Sequence, residues 1–346
     1  MKAAVMEGIG KMSVREVPTP DLTSDRDILL RVKACAVCGS DLRILAHGNP
    51  RVKPPQVCGH EIAGEVVAAG AAITNFKVGD RVAVGADVPC GECDFCRNGL
   101  GNNCKINYAI GYQFPGGFAE YILLNETTTR FGPVHVIPER LEFEEAALAE
   151  PLGCCIHGLE MCDVRIGDTV LIFGPGPIGC MLVKLARLFG AGKVILAGRG
   201  NARISMAKDF GADHIVSVLE KDPVKTIMDL TGGRGADAVL TACSSPDAQE
   251  QALQVAAQRG RVNFFGGLPA GSRKLTVDSN LIHYRECSVF GSHGSVPRHH
   301  KAALALLGSG TISGKSFISH RFPLDGIEEA FRTVREREGM KAIIVP

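Results

Sequence analysis

A glycine-rich turn near the middle of the chain lies between an apolar run at 169–173 and a helical pattern at 178–189. The turn reads Gly174-Pro175-Gly176-Pro177-Ile178-Gly179. Predicted strands and helices then alternate through a helix at 248–257 and a strand at 261–265, and another strand is expected near 287–290. Such alternation predicts an α/β fold with a parallel, doubly wound sheet of the Rossmann type.

The glycine spacing of this turn suits a dinucleotide. Gly174 allows a tight turn, Gly176 lets the backbone approach a pyrophosphate, and Gly179 allows the helix to pack closely on the strand. The helix N-terminus offers unpaired N–H groups to phosphate oxygens. We therefore expect an NAD(P) site that includes Pro177 and Ile178, with a glycine-rich turn that binds nothing as the alternative.

The end of the second predicted strand of this sheet indicates which dinucleotide binds. NAD-binding sheets usually carry Asp or Glu there for the ribose 2′-hydroxyl, whereas this chain has Gly198 followed by Arg199 and Arg203. A carboxylate would repel a 2′-phosphate, and guanidinium groups suit it. We predict that NADP(H) is preferred over NAD(H). The alternative is that both arginines are ordinary solvated surface residues.

Residue types that bind zinc occur together in the first half of the chain. Cys38, His60 and Glu61 supply a thiolate, an imidazole and a carboxylate, and Glu150 adds a second acid. These are the ligand types of a catalytic Zn²⁺ that keeps one position open. We predict such a site. Taken singly, each residue has a plainer interpretation as a buried histidine, a buried thiol or a surface acid.

Four more cysteines predict a second zinc. Cys90, Cys93, Cys96 and Cys104 follow the spacing C-x₂-C-x₂-C-x₇-C in a stretch rich in Gly and Pro. Four thiolates can surround Zn²⁺ tetrahedrally and leave no open position, which is a structural role. Four unrelated thiols are the alternative. A zinc ribbon that binds nucleic acid is disfavoured because the loop is not unusually basic.

Composition and charge exclude several function classes. A length of 346 residues favours two domains. Lys and Arg total 38 against 37 for Asp and Glu, so we expect neither a nucleic-acid partner nor a membrane surface. No apolar run is long enough to span a bilayer, and the N-terminus lacks a secretory signal pattern, so a cytoplasmic location is expected. Thirteen cysteines in a reducing compartment indicate metal before disulfides.

Short apolar runs separated by Gly and Pro turns dominate the first part of the chain, where no helical period is evident. They cover 2–6, 13–17, 28–35, 62–68 and 81–84. This pattern predicts a compact β-rich unit. The tail is expected to return to that unit, with helices at 298–307 and 324–336 and a strand at 341–345.

These motifs together resemble the zinc-dependent medium-chain alcohol dehydrogenases, and within them the polyol (sorbitol) branch. The matching motifs are Cys38-Gly-Ser-Asp41, Gly59-His60-Glu61, Gly79-Asp80-Arg-Val, the four-cysteine loop, Gly116-Gly117-Phe118-Ala119-Glu120-Tyr121, Glu150-Pro151 and Gly174–Gly179. The resemblance implies a GroES-like catalytic domain over 1–152 and 286–346 that holds both zinc sites. It also implies a Rossmann domain over 153–285 and assembly into a homodimer or homotetramer.

The resemblance further implies the roles of the site residues. In the polyol branch, the residues matching Cys38, His60 and Glu61 bind the catalytic zinc. The acid matching Glu150 is either a further ligand or hydrogen-bonded to zinc-bound water. The resemblance therefore leaves open whether Glu61 or Glu150 is the carboxylate bonded to zinc in the resting enzyme. Simple alcohol dehydrogenases typically place a ligand Cys at that position, so a polyol or sugar is expected as the substrate. Ser40, Glu61 and Glu150 are the expected catalytic residues, with Ser40 as first proton acceptor.

Two alternatives remain open for the function. The first keeps the zinc and changes the substrate to threonine or a simple secondary alcohol. The second is a non-catalytic NADPH-binding zinc protein, which the intact set of Cys38, Ser40, His60 and Glu61 disfavours.

Overall fold

The structure is a computed structural model that describes residues 1–346 except for the side chain of Ala270. Contacts between residues divide the chain into two compact units. The first comprises Met1–Cys154 and Gly294–Pro346, and the second comprises Cys155–His293. The second unit runs past residue 285 because a strand at Ser288–Gly291 pairs within its sheet.

Short strands and short helices build the first unit up to the division point. The strands are β1 (Lys2–Gly8), β2 (Lys11–Glu16), β3 (Ile28–Ala36), β4 (Gln56–Val57), β5 (Glu61–Ala69), β6 (Arg81–Val84), β7 (Asp87–Val88), β8 (Tyr108–Ala109), β9 (Tyr121–Leu124) and β10 (Val134–Val136). The helices are α1 (Gly39–His47), α2 (Asp94–Arg97), α3 (Glu126–Phe131), α4 (Phe143–Ala146) and α5 (Ala149–Met161), and the division point lies within α5.

The second unit alternates strands and helices. In chain order they are β11 (Thr169–Phe173), α6 (Pro177–Leu188), β12 (Lys193–Gly198), α7 (Asn201–Ala207), β13 (His214–Ser217), α8 (Pro223–Leu230), β14 (Ala236–Thr241), α9 (Pro246–Gln254), β15 (Ala256–Phe264), α10 (Asn280–His283) and β16 (Ser288–Gly291). All neighbouring strands are parallel, in the order β13-β12-β11-β14-β15-β16. The predicted doubly wound α/β fold is therefore confirmed.

The remaining part of the chain completes the first unit. Its elements are α11 (Pro297–Gly308), β17 (Ile318–Pro323), α12 (Ile327–Glu336) and β18 (Lys341–Val345). The largest sheet runs in the order β10-β6-β5-β3-β18-β17, with β9 also paired to β3. Two smaller sheets have the orders β2-β1-β4 and β7-β8. Short 3₁₀ turns lie at Gly101–Asn103, Lys208–Phe210, Ala270–Ser272, Gly314–Phe317 and Leu324–Gly326.

The antiparallel pair β3–β5 lies in the core of the first unit. Leu30 and Val32 on β3 and Ile62 and Val66 on β5 are all buried. Burying each such side chain contributes about 1.5–3 kcal/mol. The pairing sets Ala36 opposite Glu61, so the end of β3 is held beside the start of β5.

Several helices differ from the sequence expectation: α3, α4 and α5 were not predicted, and two further differences have a clear local cause. The apolar pattern predicts no helix directly after β3, yet α1 forms there because Asp41 Oδ2 accepts a hydrogen bond from Cys38 N at 2.9 Å. The helix predicted over 248–257 ends at Gln254. The next residues are apolar and almost fully buried, and they join β15 instead of extending the helix. Within the described part of the chain, no helix has both the length and the apolarity that crossing a bilayer requires.

Candidate functional site

The first cluster of predicted ligands forms where β3 ends and β5 begins. Cys38 is the N-cap of α1, two residues after β3, and Glu61 is the first residue of β5 with His60 immediately before it. The donor atoms of these three side chains lie within 4.8 Å of one another. His60 and Glu61 are both buried, with exposed fractions of 4% and 0%. The pairing of β3 with β5 thus brings together a thiol, an imidazole and a carboxylate, which are side chains that can bind a metal ion.

Asp41 lies behind the imidazole of His60. Its Oδ1 atom is 3.3 Å from His60 Nδ1, although neither atom has hydrogen-bond geometry to any described residue. Burial lowers the pKa of His60, but the Asp41 carboxylate more than compensates, so the pKa lies well above its usual value. A carboxylate behind a metal-binding histidine commonly fixes the ring. The residues present therefore fit a zinc site in which His60 Nε2 is the donor.

Glu61 is paired with a residue that the sequence did not point to. Lys341 Nζ, at the start of β18, donates hydrogen bonds to both carboxylate oxygens of Glu61. Lys341 is only 4% exposed. Burial alone would lower its pKa, but the charges of Glu61, Cys38 and Glu150 raise it above the usual value. Glu61 and Lys341 therefore form a buried ion pair at the edge of the cluster.

Glu150 lies near this cluster, in the first turn of α5. It does not belong to the three-residue set of donor atoms among the described residues. Burial raises the pKa of Glu150 to about 7; His60 opposes that shift and Glu61 adds to it. Cys154 Sγ donates to Glu150 Oε1 at 3.6 Å. Glu150 is thus a buried acid that can gain or lose a proton near neutral pH.

Ser40 and Tyr112 lie beside His60. Ser40 Oγ is 3.3 Å from His60 Nε2. The ring centroid of Tyr112 is 5.8 Å from that of His60, and the Tyr112 side chain lies beside Ser40. Burial raises the pKa of Tyr112, so its hydroxyl stays protonated near neutral pH. These hydroxyl groups give the cluster a polar side.

The four cysteines form a second cluster, and all four sulfur atoms lie within 4.8 Å of one another. Cys90 Sγ is 3.8 Å from Cys96 Sγ, and Cys93 Sγ is 3.5 Å from Cys96 Sγ. Zn–S bonds of about 2.3 Å in a tetrahedron separate the sulfur atoms by about 3.8 Å. Backbone N–H groups, that of Lys105 first, lower the pKa of Cys93 to about 6. The cluster fits a closed, four-thiolate zinc site.

The glycine-rich turn joins β11 to α6 in the second unit. Gly174 has a φ of 116°, which favours glycine, and a Cβ atom at Gly179 would collide with the carbonyl oxygen of Gly174. Gly176 is the N-cap of α6, and Pro177 follows at its first position. The turn therefore leaves the helix N-terminus open to a phosphate, as the sequence predicts.

Arg199 and Arg203 differ in their surroundings. A Cβ atom at Gly176 would lie 2.7 Å from Arg203 Nη1, so this guanidinium sits directly at the glycine-rich turn. Arg199 is exposed, and its Nη2 is 3.2 Å from Asp247 Oδ2. A Cβ atom at Gly198 would collide with the Pro175 ring. Close packing against Pro175 thus requires glycine at position 198, where NAD-binding sheets usually carry the Asp or Glu that binds the ribose 2′-hydroxyl.

Comparison with known proteins assigns the family. The family model described as alcohol dehydrogenase GroES-like domain matches residues 24–134, and the one described as zinc-binding dehydrogenase matches residues 177–309. Sorbitol dehydrogenase of Bacillus subtilis (strain 168) is 32% identical over 352 residues, covering 100% of this chain and 97% of that protein. The chain belongs to the zinc-dependent medium-chain alcohol dehydrogenase superfamily. It is therefore an oxidoreductase of the alcohol dehydrogenase type.

Two further proteins are similar to this dehydrogenase. L-Threonine 3-dehydrogenase of Bacillus licheniformis is 35% identical over 351 residues, covering 100% of this chain and 99% of that protein. A crystal structure of a zinc-binding dehydrogenase from Sinorhizobium meliloti 1021 bound to NADP superposes with a TM-score of 0.92. It is 34% identical, and the alignment covers 100% of this chain and 99% of that one.

The predicted superfamily and fold class are confirmed for this dehydrogenase. The polyol branch, the cofactor preference and the roles of individual residues remain predictions. Lys341 and Tyr112 belong to none of the sequence motifs described above. In the sequence, the one feature that sets Lys341 apart is its position at the start of the apolar run 341–345. That position indicates a buried partner without showing which residue the partner is.

Proposed function

We propose that this dehydrogenase transfers a hydride between NADP(H) and a carbinol carbon of a polyol or sugar, which converts an alcohol to a ketone. The observation that carries the proposal is the position of Glu150, a buried acid near the Cys38–His60–Glu61 cluster, where burial raises its pKa. A carboxylate can accept hydrogen bonds from several hydroxyls, which suits a polyol better than a simple alcohol. The similarity to a sorbitol dehydrogenase supports the same substrate class.

The proposal includes two zinc ions per chain. Cys38, His60 and one acid, Glu61 or Glu150, would hold the catalytic ion, and the four-cysteine cluster would hold the structural one. When bound, zinc supplies Lewis-acid stabilisation of the ionised alcohol, and the nicotinamide supplies the hydride acceptor.

The remaining tasks fall to side chains of the first unit. Ser40 Oγ accepts the proton of the substrate hydroxyl while it passes its own hydroxyl proton on to water, so that Ser40 stays neutral, and Tyr112 lies beside it. Asp41 holds the His60 ring through the carboxylate behind Nδ1. Glu150 Oε atoms accept hydrogen bonds from substrate hydroxyls and can take up a proton near neutral pH.

The preference for NADP(H) is supported by the second unit. Gly198 leaves no carboxylate to repel a 2′-phosphate, and Arg203 already lies at the glycine-rich turn. The exposed contact of Arg199 with Asp247 is weak, so Arg199 can turn toward a phosphate at little cost. The similar Sinorhizobium meliloti protein was solved with NADP bound.

An amino-alcohol substrate is the second candidate. The threonine dehydrogenase of Bacillus licheniformis has 35% identity, comparable to that of the sorbitol dehydrogenase. Both candidates use the same zinc cluster and the same hydride chemistry. They differ in the substrate groups that surround the reacting hydroxyl.

A substrate and cofactor panel tests the proposal. The zinc-loaded protein is assayed with sorbitol, xylitol, L-threonine and 2-butanol, each with NAD⁺ and NADP⁺, and zinc is quantified on the same sample. We expect the highest kcat/KM with a polyol and NADP⁺, at two zinc ions per chain. A clear preference for L-threonine would establish the second candidate instead. Full zinc loading without turnover of any alcohol would indicate a non-catalytic protein.

Two variants separate the zinc sites in the same assay. Cys38→Ala should abolish turnover and lose one zinc, because it removes a ligand of the catalytic cluster. Cys93→Ala should lose the other zinc and lower thermal stability, because a closed thiolate site orders its loop. Unchanged activity in both Cys38→Ala and Glu61→Ala would overturn the metal mechanism.

A further inference from the structure

Arg51 places a half-buried positive charge near the candidate metal centre without a carboxylate to balance it. Its Nε atom donates to Gln113 Oε1 at 3.3 Å, and Nη2 donates to the backbone oxygen of Asn107 and to Asn107 Oδ1. All of these acceptors are neutral. Within the described residues, Arg51 forms no ion pair and its Nη1 atom has no hydrogen-bond acceptor.

The neutral acceptors belong to a network that fixes the guanidinium. Asn107 has a φ of 53°, and its carbonyl oxygen also accepts from Gln113 Nε2 at 3.2 Å. Gln113 Oε1 also accepts from Ala109 N at 3.1 Å. Because Arg51 is already held in one orientation, little side-chain entropy is left to lose when its free N–H groups bind a ligand.

Tyr112 connects Arg51 to the metal cluster. The guanidinium carbon lies over the Tyr112 ring at 5.0 Å from its centroid, and that centroid is 5.8 Å from the His60 ring. The Tyr112 hydroxyl contacts Ser40, the proposed first proton acceptor. Arg51 is thus one aromatic ring away from the reacting end of the substrate. The guanidinium carbon can be no farther from the centroid of the His60 ring than the sum of these two distances, and this span is comparable to the length of an extended five- or six-carbon chain that ends in an oxyanion.

We propose that Arg51 binds an oxyanion at the far end of the substrate, so that the physiological substrate is an anionic polyol carrying a phosphate monoester or a carboxylate. This inference rests on the proposed function and narrows its substrate class. Hydrogen bonds between a guanidinium and an oxyanion are about twice as strong as neutral ones. The anion would also balance a charge that folding has partly removed from water. If Arg51 only fixed the loop at 107–113, charged and neutral substrates would bind alike.

Matched ligands test the inference on the holoenzyme. D-Sorbitol 6-phosphate, D-gluconate and D-sorbitol are titrated by calorimetry in the presence of NADPH, which prevents oxidation of the alcohol, and kcat/KM is then measured with NADP⁺. We expect at least one anionic ligand to bind about 10–100-fold more tightly than sorbitol, the range of one charged hydrogen bond. The phosphate and carboxylate arms identify which oxyanion the site prefers. Arg51→Gln should remove most of the difference, and Arg51→Lys should retain part of it.

Arg15→Gln is the matched control, since Arg15 is exposed on β2 and the variant makes the same change of charge. Its ratio of anionic to neutral affinity should equal that of the wild type. Wild-type protein that binds neither anion more tightly than sorbitol would overturn the inference, whether or not the Arg51 variants fold. If polyols are turned over and Arg51→Gln keeps the wild-type ratio, the inference fails while the reaction stands. If the anions bind through Arg51 but no alcohol is oxidised, the anion site stands and the proposed reaction fails.

Discussion

The buried pair of Glu61 and Lys341 changes what Glu61 contributes to the metal cluster. A free carboxylate beside Cys38 would add a full negative charge, whereas Lys341 balances it. Both side chains are almost fully buried, so water screens the pair little. Glu61 is therefore coupled to β18, and any movement of its carboxylate toward a metal weakens its bonds with Lys341.

Removing only the cation should destabilise the protein strongly. Lys341→Met leaves the Glu61 carboxylate buried without a partner, which costs about 3–5 kcal/mol. The double variant Lys341→Met/Glu61→Gln should regain much of that loss, since neither charge remains. Urea unfolding of chelator-treated protein measures the change in the free energy of unfolding for the single variant and for the double variant. Lys2→Met, which removes an exposed pair with Asp325, is the control and should change little. Equal losses for Lys341→Met and Lys2→Met would contradict the prediction.

Arg203 should contribute to discrimination between the two cofactors. Arg203→Ala removes a guanidinium at the glycine-rich turn, and we expect kcat/KM to fall about 10–100-fold more for NADP⁺ than for NAD⁺. Arg199→Ala should act in the same direction. Steady-state kinetics with both cofactors measure the ratio, and Lys208→Ala, an exposed change just after α7, serves as the control. Equal wild-type kcat/KM for NAD⁺ and NADP⁺ would reject the assignment.

At the level of secondary structure elements, two histidines join β10 to α11. His135 Nδ1 lies 2.9 Å from His300 Nδ1, and the rings stack with centroids 5.1 Å apart. Burial lowers the pKa of His135 to about 4, with a further contribution from Lys301. Burial and His135 lower the pKa of His300 to about 3. Both rings are therefore neutral at pH 7, and one donates a hydrogen bond to the other.

This histidine pair should make stability depend on pH. In the unfolded chain each histidine takes up its proton near pH 6.5, whereas in the folded protein uptake is delayed to about pH 4 or below. The unfolded state binds more protons in this range, so stability is fully present above pH 6.5 and decreases as pH falls toward 4.

Thermal unfolding between pH 4 and 7.5 measures the effect. The double variant His135→Leu/His300→Leu should show a shallower loss of Tm across this range than the wild type. His47→Leu, at the exposed end of α1, should keep the wild-type slope. Identical slopes for the wild type and the double variant would show that other groups govern acid stability.

The sequence predicted local features well and long-range contacts poorly. In the second unit, the hydrophobic pattern of each strand and each helix lies within one continuous stretch of sequence, so these elements could be predicted from the pattern alone. Cys38, His60 and Glu61 were found because their residue types are informative. The partner of Glu61 is 280 residues away, and only the strand order places β18 beside β3. The contact of Tyr112 with Ser40 depends on a loop path that no periodic pattern encodes.

At the scale of the whole molecule, β16 forms an open edge of the six-stranded sheet. Val289 on this strand and nearby Tyr284 are both exposed. An apolar edge with unpaired backbone groups is suited to pairing with a second copy of the same strand. We therefore expect a homodimer, or a homotetramer that contains this contact.

A charge on that edge should disrupt the assembly. Val289→Lys buries an ammonium group in the expected contact, so light scattering after gel filtration should show a shift toward monomer at micromolar concentration. Ile166→Lys alters a residue that is 94% exposed elsewhere and should leave the mass unchanged. A Val289→Lys variant with the wild-type mass would exclude β16 as the interface.

The strand that carries Lys341 follows the entire second unit in the chain, yet it lies between β3 and β17 in the sheet of the first unit. During synthesis on the ribosome, Cys38, His60 and Glu61 therefore emerge long before Lys341. Until β18 is made, Glu61 lacks its cation and β3 lacks a neighbour. Zinc captured by the nascent chain would meet a more negative cluster than the finished protein presents. The order of synthesis thus delays the final charge balance of the metal centre until Lys341, near the end of this sequence, has been translated.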